Sequence, residues 1–188
     1  MRIIGGRLKG RKLQALKGLD VRPTADRVRE ALFNILGPTQ LDVFVLDLFS
    51  GTGALGIEAL SRGAQKAVFV DISPHSLAVL RKNLDHCTLR LCSETIRWDI
   101  SRNLICLKRY PEHFGLVFMD PPYRKGLVPK ALQHLLESGC LAQEALIVAE
   151  HEAGTRPEIP SKHLAGIDHR RYGRTALSFF TYRDPLAG

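Results

Sequence analysis

Cysteine is scarce in this chain of 188 residues. There are four, Cys87, Cys92, Cys106 and Cys140, with no C-x-x-C pair and no histidine cluster beside them. That spacing gives neither a zinc signature nor a redox motif, and it reads as four reduced, mostly buried thiols. Long apolar runs are missing as well. Nothing approaches the roughly 20 residues of a membrane span. Met1-Arg2-Ile3-Ile4-Gly5-Gly6-Arg7 contains no apolar stretch of the secretory type. The expectation is a cytoplasmic protein with no membrane association. Glu150-His151-Glu152 and His134 lack metal-ligand spacing, so structural roles and no metal are expected. Repeats, low-complexity tracts and interdomain linkers are also absent. The length suits one domain, 1–188, able to bury about 70% of its unfolded surface.

Acidic charge is short at one end. Residues 1–29 hold nine bases against two acids, a net +7, whereas the other 159 residues carry +1. Such asymmetry points to a polyanionic partner, most often nucleic acid, against the alternative of a solvated basic tail. The basic arm covers 1–23 and an α/β core covers 24–188. Within the arm, Ile3, Ile4, Leu8 and Leu13 are spaced to pair as a short hairpin around Gly5-Gly6 and Gly10.

The core alternates. Thr24 is placed to cap a helix over 25–36. Apolar runs predict strands over 43–49, 67–71, 88–92, 116–120 and 145–149. Helical spacing predicts helices over 54–62, 74–85, 101–108 and 128–137. Tyr172-Gly173-Arg174 followed by β-formers over 175–182 reads as a terminal hairpin. Strand–helix alternation of this kind makes a doubly wound, mostly parallel sheet, and the hairpin adds an antiparallel edge. His169-Arg170-Arg171-Tyr172 is as compatible with a solvated hairpin end as with a contact to RNA.

Two segments carry chemistry. The first is Asp47-Leu48-Phe49-Ser50-Gly51-Thr52-Gly53-Ala54-Leu55-Gly56, running from a strand into a helix. Its glycines allow a tight turn and close approach of the backbone to a ligand. Gly51-x-Gly53-x-x-Gly56 formally fits a dinucleotide loop, but a carboxylate at the mouth, Asp47, suits a cationic ligand better than a diphosphate. A P-loop is excluded, because no Gly-Lys-Ser/Thr follows. Asp71 ends the next strand, 18 residues after Gly53, where a carboxylate can accept both hydroxyls of a ribose. S-adenosylmethionine, with a sulfonium, an α-ammonium and no phosphate, fits this set. The segment resembles motif I of the class I methyltransferases.

The second segment is Asp120-Pro121-Pro122-Tyr123. Two prolines fix the backbone and remove two donors. The carboxylate and the Pro121 carbonyl are left as acceptors beside the aromatic face of Tyr123. That set suits a planar base with an exocyclic amine. The two acceptors take its N–H groups and aim the nitrogen lone pair, while the ring stacks for roughly 1–3 kcal/mol. The base has to leave its stack to arrive there. The alternative is a plain turn after a strand. The tetrapeptide resembles motif IV of methyltransferases acting on adenine N6, guanine N2 or cytosine N4.

A wider resemblance covers nearly the whole chain. Arg2-Ile3-Ile4-Gly5-Gly6, Lys9-Gly10-Arg11, Arg22-Pro23-Thr24, Asp26-Arg27-Val28-Arg29-Glu30, Leu32-Phe33-Asn34 and the two segments above are similar to the RsmD family. The resemblance implies a Rossmann-like fold with a seven-stranded, mostly parallel sheet. It also implies a monomeric enzyme that methylates a guanine N2 in bacterial 16S ribosomal RNA, on the small subunit or its assembly intermediate. S-adenosylmethionine would be held by Asp47, Ser50, Gly51, Thr52, Gly53 and Asp71, with Ile72 against the adenine and Asp99 reading its amine, unless Asp99 is a helix cap. Asp120, Pro121 and Tyr123 would hold the target base. Arg7, Lys9, Arg11, Lys12, Arg22 and Arg124 would meet RNA phosphates. Two alternatives remain: a DNA adenine-N6 methyltransferase, and a non-catalytic nucleic-acid-binding module with the same fold.

Overall fold

The computed structural model describes residues 1–16, 23–37, 42–111, 113–122 and 126–183. They fall into two compact units, Met1–Arg97 and Trp98–Gly188.

The first unit opens with the basic segment. It forms the expected short hairpin, and that hairpin is docked on the rest of the unit. Arg2 and Lys12 form an antiparallel bridge. The Ile3 N–H donates to the Arg11 carbonyl at 3.0 Å, and the Leu13 N–H to that of Met1 at 3.0 Å. Ile3 and Leu13 are buried, so the hairpin has a core face, while Arg7, Lys9, Arg11 and Lys12 stay exposed. Helix α1, Pro23–Leu36, follows and buries Val28, Leu32 and Phe33. Proline at its first position, with φ preset for helix, starts it ahead of Thr24. Thr24 therefore lies inside the first turn instead of capping it. The buried Arg29 of α1 donates to the Arg2 carbonyl at 2.6 Å and to Asp26 at 3.1 Å.

Strand β1 (Phe44–Leu48) leads to helix α2 (Ala54–Ser61), then β2 (Lys66–Asp71), helix α3 (Pro74–His86) and β3 (Ser93–Arg97). These strands pair in parallel in the order β3-β2-β1, with Asp47 beside Phe69 and Asp71 beside Arg97. β1 and β2 are apolar almost throughout, as strands covered on both faces are.

The second unit holds β4 (Phe114–Met119), α4 (Leu127–Ser138), β5 (Leu141–Glu152), β6 (Leu164–Tyr172) and β7 (Thr175–Tyr182). β4 and β5 run parallel, and β5-β7-β6 is antiparallel, with Gly173 at φ 63° in the expected hairpin turn. Phe114, Phe118, Leu132, Leu135, Ile147 and Phe179 form its core. Among the described residues seven strands, mostly parallel with an antiparallel C-terminal pair, make this the expected mixed α/β class.

Two expected elements differ. The third strand is Ser93–Arg97, not 88–92, where a 3-10 turn (Arg90–Cys92) leaves Leu91 fully exposed. In place of a helix over 101–108 there is a 3-10 turn, Ile105–Leu107. Asn103 favours this break, because its side-chain oxygen accepts from the Ile105 N–H at 3.1 Å and competes with a helical ladder. The four thiols are free, with Cys87 and Cys140 buried and Cys92 and Cys106 half-buried.

Glu58 seats the hairpin. It is 1% exposed and is the one charged residue of α2. Its carboxylate accepts the Ile4 and Gly5 N–H groups at 2.7 Å each, and Arg62 Nε at 2.8 Å. Ser61 adds a bond to the Gly5 carbonyl at 2.6 Å and accepts the Leu8 N–H at 3.0 Å. A Cβ on Gly6 would stand 1.9 Å from the Ser61 carbonyl oxygen, so only glycine lets the backbones meet there. Glu58→Ala would leave two backbone donors without their acceptor and should destabilise the protein by about 2 kcal/mol in urea denaturation. A loss well below that would mean that the hairpin does not depend on this carboxylate.

Candidate active site

The glycine-rich segment turns between β1 and α2. Phe49 takes φ 59°, a region that non-glycine residues avoid, and Gly51 and Gly53 follow at 53° and 84°. A Cβ on Gly53 would stand 2.2 Å from Leu80 Cδ1, and one on Gly56 2.4 Å from Phe69 Cε1. The loop is tied to its neighbours by Ser50 N–H donating to the Val70 carbonyl (3.1 Å) and Gly53 N–H to that of Ser50 (2.7 Å).

Asp71 closes the turn. Its Oδ2 accepts the Gly51 N–H and its Oδ1 the Ser73 N–H, both at 2.8 Å. Each oxygen keeps a second lone pair, so the carboxylate can still accept two hydroxyls. Ile72, beside it, is 57% exposed and offers an apolar side chain to a ligand. Ser50 Oγ is buried and has no hydrogen-bond partner among the described residues. A buried hydroxyl without a partner is unfavourable unless a ligand completes it. These residues fit S-adenosylmethionine in donor and acceptor type.

Asp47 does not stand at the mouth. It is 2% exposed beneath the loop, and its Oδ2 accepts the Gly56 N–H at 2.9 Å. The reason is its place inside β1, where every residue after Phe44 is buried. Burial pushes its carboxyl up to about 8, and the charge of Asp71 adds to the effect. Folding therefore tightens its hold on a proton. This group's contribution to stability is complete below the ordinary carboxylate range and is lost as pH rises through about 8. Between about pH 6 and pH 8 the wild type should lose on the order of 2 kcal/mol from this source. Asp47→Asn keeps an acceptor for Gly56 and should remove that loss. Urea midpoints at the two pH values check this, and an identical pH dependence in both proteins would contradict it.

In the second unit, Asp99 follows β3 in a tight turn. Its Oδ1 accepts from the Ser101 hydroxyl (2.6 Å) and N–H (3.1 Å), and Arg102 Nε lies 3.2 Å from Oδ2. The Ser101 hydroxyl holds this carboxyl below its usual range. Asp99 therefore caps a turn, not a helix. Asp120 comes directly after Met119, the last residue of β4, and is exposed, while Pro121 is buried and Pro122 exposed. Tyr123, Arg124 and Arg22 lie outside the described residues.

Of the hairpin cations, Arg11 donates to the His86 carbonyl at 2.9 Å. His134 Nδ1 is 2.9 Å from the Ile100 carbonyl oxygen, and His151 Nε2 is 2.8 Å from Ser178 Oγ. Among the described residues no cluster of three or more His, Cys, Asp or Glu is arranged for a metal ion, and no helix is long and apolar enough to cross a membrane. Sequence reasoning missed Glu58, Ser61 and Asn83. The signal was available for two of them: a carboxylate within the apolar run of α2, and an amide on the Leu77-Leu80-Leu84 face of α3.

A family model described as conserved hypothetical protein 95 matches residues 1–181. The ribosomal RNA small subunit methyltransferase D of Escherichia coli strain K12 is 39% identical over 184 residues, covering 94% of this chain and 91% of that protein. Its counterpart of the same name in Haemophilus influenzae is 42% identical over 154 residues, 81% of this chain and 79% of the other. Among solved structures, yhhF from Escherichia coli superposes with a TM-score of 0.85 at 37% identity, covering 97% of this chain and 98% of that one.

Proposed function

The chain belongs to the RsmD family, and from that premise we propose that it methylates the N2 amine of a guanine in 16S ribosomal RNA. It is a methyltransferase enzyme, and in this reading S-adenosylmethionine is its methyl donor. The observation that carries the reading is Asp120-Pro121-Pro122-Tyr123 directly after β4, in a chain matched along residues 1–181. In this reading the enzyme works as one methyltransferase domain and as a monomer. It acts in the cytoplasm on the small ribosomal subunit or its assembly intermediate.

The bound cofactor supplies an electrophilic methyl group on a sulfonium. The chain's own residues do the rest. Asp71 accepts the ribose hydroxyls, Ile72 lies against the adenine and Asp99 accepts from its amine. Ser50 and the Gly51–Gly53 backbone face the methionine end, and Asp47 acts from below by fixing the loop through Gly56. Asp120 and the Pro121 carbonyl accept the two N–H groups of the target amine, so that the nitrogen lone pair points outward. Tyr123 stacks on the base. Positioning of this kind supplies much of a rate enhancement without metal or covalent intermediate.

The test is methyl transfer from labelled S-adenosylmethionine onto naked 16S rRNA, small subunits and duplex DNA. Label on guanine N2 in either rRNA sample is the expected result. Label confined to DNA adenine would replace the reading with a DNA methyltransferase. RNA binding with no transfer to any sample would leave a non-catalytic binding module.

A further inference from the structure

Asn83 is a buried polar side chain that the reading above leaves without a task. It sits on the buried face of α3 beside Leu80 and Leu84, with no exposure to solvent. Asparagine is a poor helix former, and a buried amide is unfavourable unless its donors and acceptor are matched. Here they are matched from two separate places. Asn83 Oδ1 accepts the Gln14 N–H at 2.7 Å, and Nδ2 donates to the Gln14 carbonyl at 3.1 Å. The same Nδ2 donates to the Thr52 carbonyl at 3.0 Å.

Gln14 continues the N-terminal hairpin just past Leu13. Thr52 stands between Gly51 and Gly53 in the glycine-rich loop. That loop holds three positive φ angles within five residues, a backbone that does not maintain itself without outside support. Support from α3 arrives at two points on one face: the amide of Asn83 on the Thr52 carbonyl, and Leu80 against Gly53.

We propose that Asn83 is a positioning residue for the cofactor: one buried amide clamps the glycine-rich loop to the N-terminal hairpin, so that tight cofactor binding requires a seated hairpin. This rests on the reading of Ser50–Gly53 as the S-adenosylmethionine loop. The hairpin thereby contributes to the cofactor site without touching the ligand.

The test titrates S-adenosylhomocysteine calorimetrically into the full chain, Asn83→Leu and Gln14→Pro. Asn83→Leu is close in shape and removes all three hydrogen bonds. Gln14→Pro leaves the amide in place and removes only the N–H that the hairpin gives it. Asn83→Leu should weaken binding about tenfold, and Gln14→Pro about threefold. With RNA as acceptor, the KM for the methyl donor should rise by the same factors while kcat stays within about twofold. A role in packing alone would lower the unfolding midpoints of both variants and leave affinity and donor KM at wild-type values, which would overturn the proposal. If Asn83→Leu does not fold, Gln14→Pro decides by itself, and wild-type affinity there overturns the proposal. Failure of the wild-type chain to bind S-adenosylhomocysteine is a different outcome: it retires the cofactor reading and this proposal with it.

Discussion

Asp120→Ala should cut turnover by at least about a hundredfold, roughly 2.7 kcal/mol of barrier, with cofactor affinity staying within a few-fold. The exocyclic amine of guanine is a weak nucleophile, because its lone pair is delocalised into the ring. Rate therefore depends on acceptors that take both N–H groups and bring the nitrogen toward tetrahedral geometry. Asp120 is exposed at the end of a buried strand, and the adjacent Pro121 is buried and has no N–H to compete for the carboxylate. Asp120→Asn keeps one acceptor and should fall between the two. Single-turnover transfer rates, with calorimetry of S-adenosylhomocysteine on the same proteins, check the split. Turnover that survives the alanine substitution would reduce the tetrapeptide to a structural turn.

The second large effect concerns salt. Arg7, Lys9, Arg11 and Lys12 are exposed on the hairpin, and with Arg22 they give five expected phosphate contacts. Each contact releases counterions, so log affinity should fall against log salt with a slope near −4, at roughly −0.7 to −0.9 per phosphate. Arg11 also bonds the His86 carbonyl, so the cleaner set to neutralise is Arg7, Lys9 and Lys12. Arg7→Gln, Lys9→Gln and Lys12→Gln together should flatten the slope by about 2 to 3 units. Among the described residues none of the three side chains carries a hydrogen bond that seats the hairpin, because the seating runs through backbone groups of Ile4, Gly5 and Leu8. Cofactor affinity should therefore not move. RNA affinity at several salt concentrations decides, and an unchanged slope would remove the hairpin from the RNA-binding surface.

The parts of this fold that were legible in the sequence share one property: the signal is local. β1 and β2 are buried on both faces and read as nearly continuous apolar runs. The C-terminal hairpin announces itself at Tyr172-Gly173-Arg174. β3 lacks that signal, because Ser-Glu-Thr-Ile-Arg is half-buried and carries no apolar run, whereas Leu89, Leu91 and Cys92 just before it imitate one. Leu104 and Leu107 are both buried, three residues apart, and that spacing fits a 3-10 turn as well as a helix.

The candidate motif residues stand out in the sequence for the same reason, being contiguous. The depth of Asp47 was not, because alternation along a strand says nothing about what covers it. Nor did the sequence disclose that the basic segment is docked. Its partners, Glu58, Ser61 and Asn83, lie 53 to 69 residues further along the chain, and no local pattern joins them.

That separation has a consequence for how the protein is made. The hairpin is synthesised before α2 and α3, which carry its acceptors. At about 5–20 residues per second the delay runs to several seconds. Throughout it, a strongly cationic segment is tethered within reach of the ribosome's own RNA. Closing a loop of that length also places docking late by its entropy. The hairpin residues are thus among the last to find their native partners, and in a pulse-labelled chain the protection of the Ile4 and Gly5 amides from exchange should follow completion of α2, not of the hairpin itself.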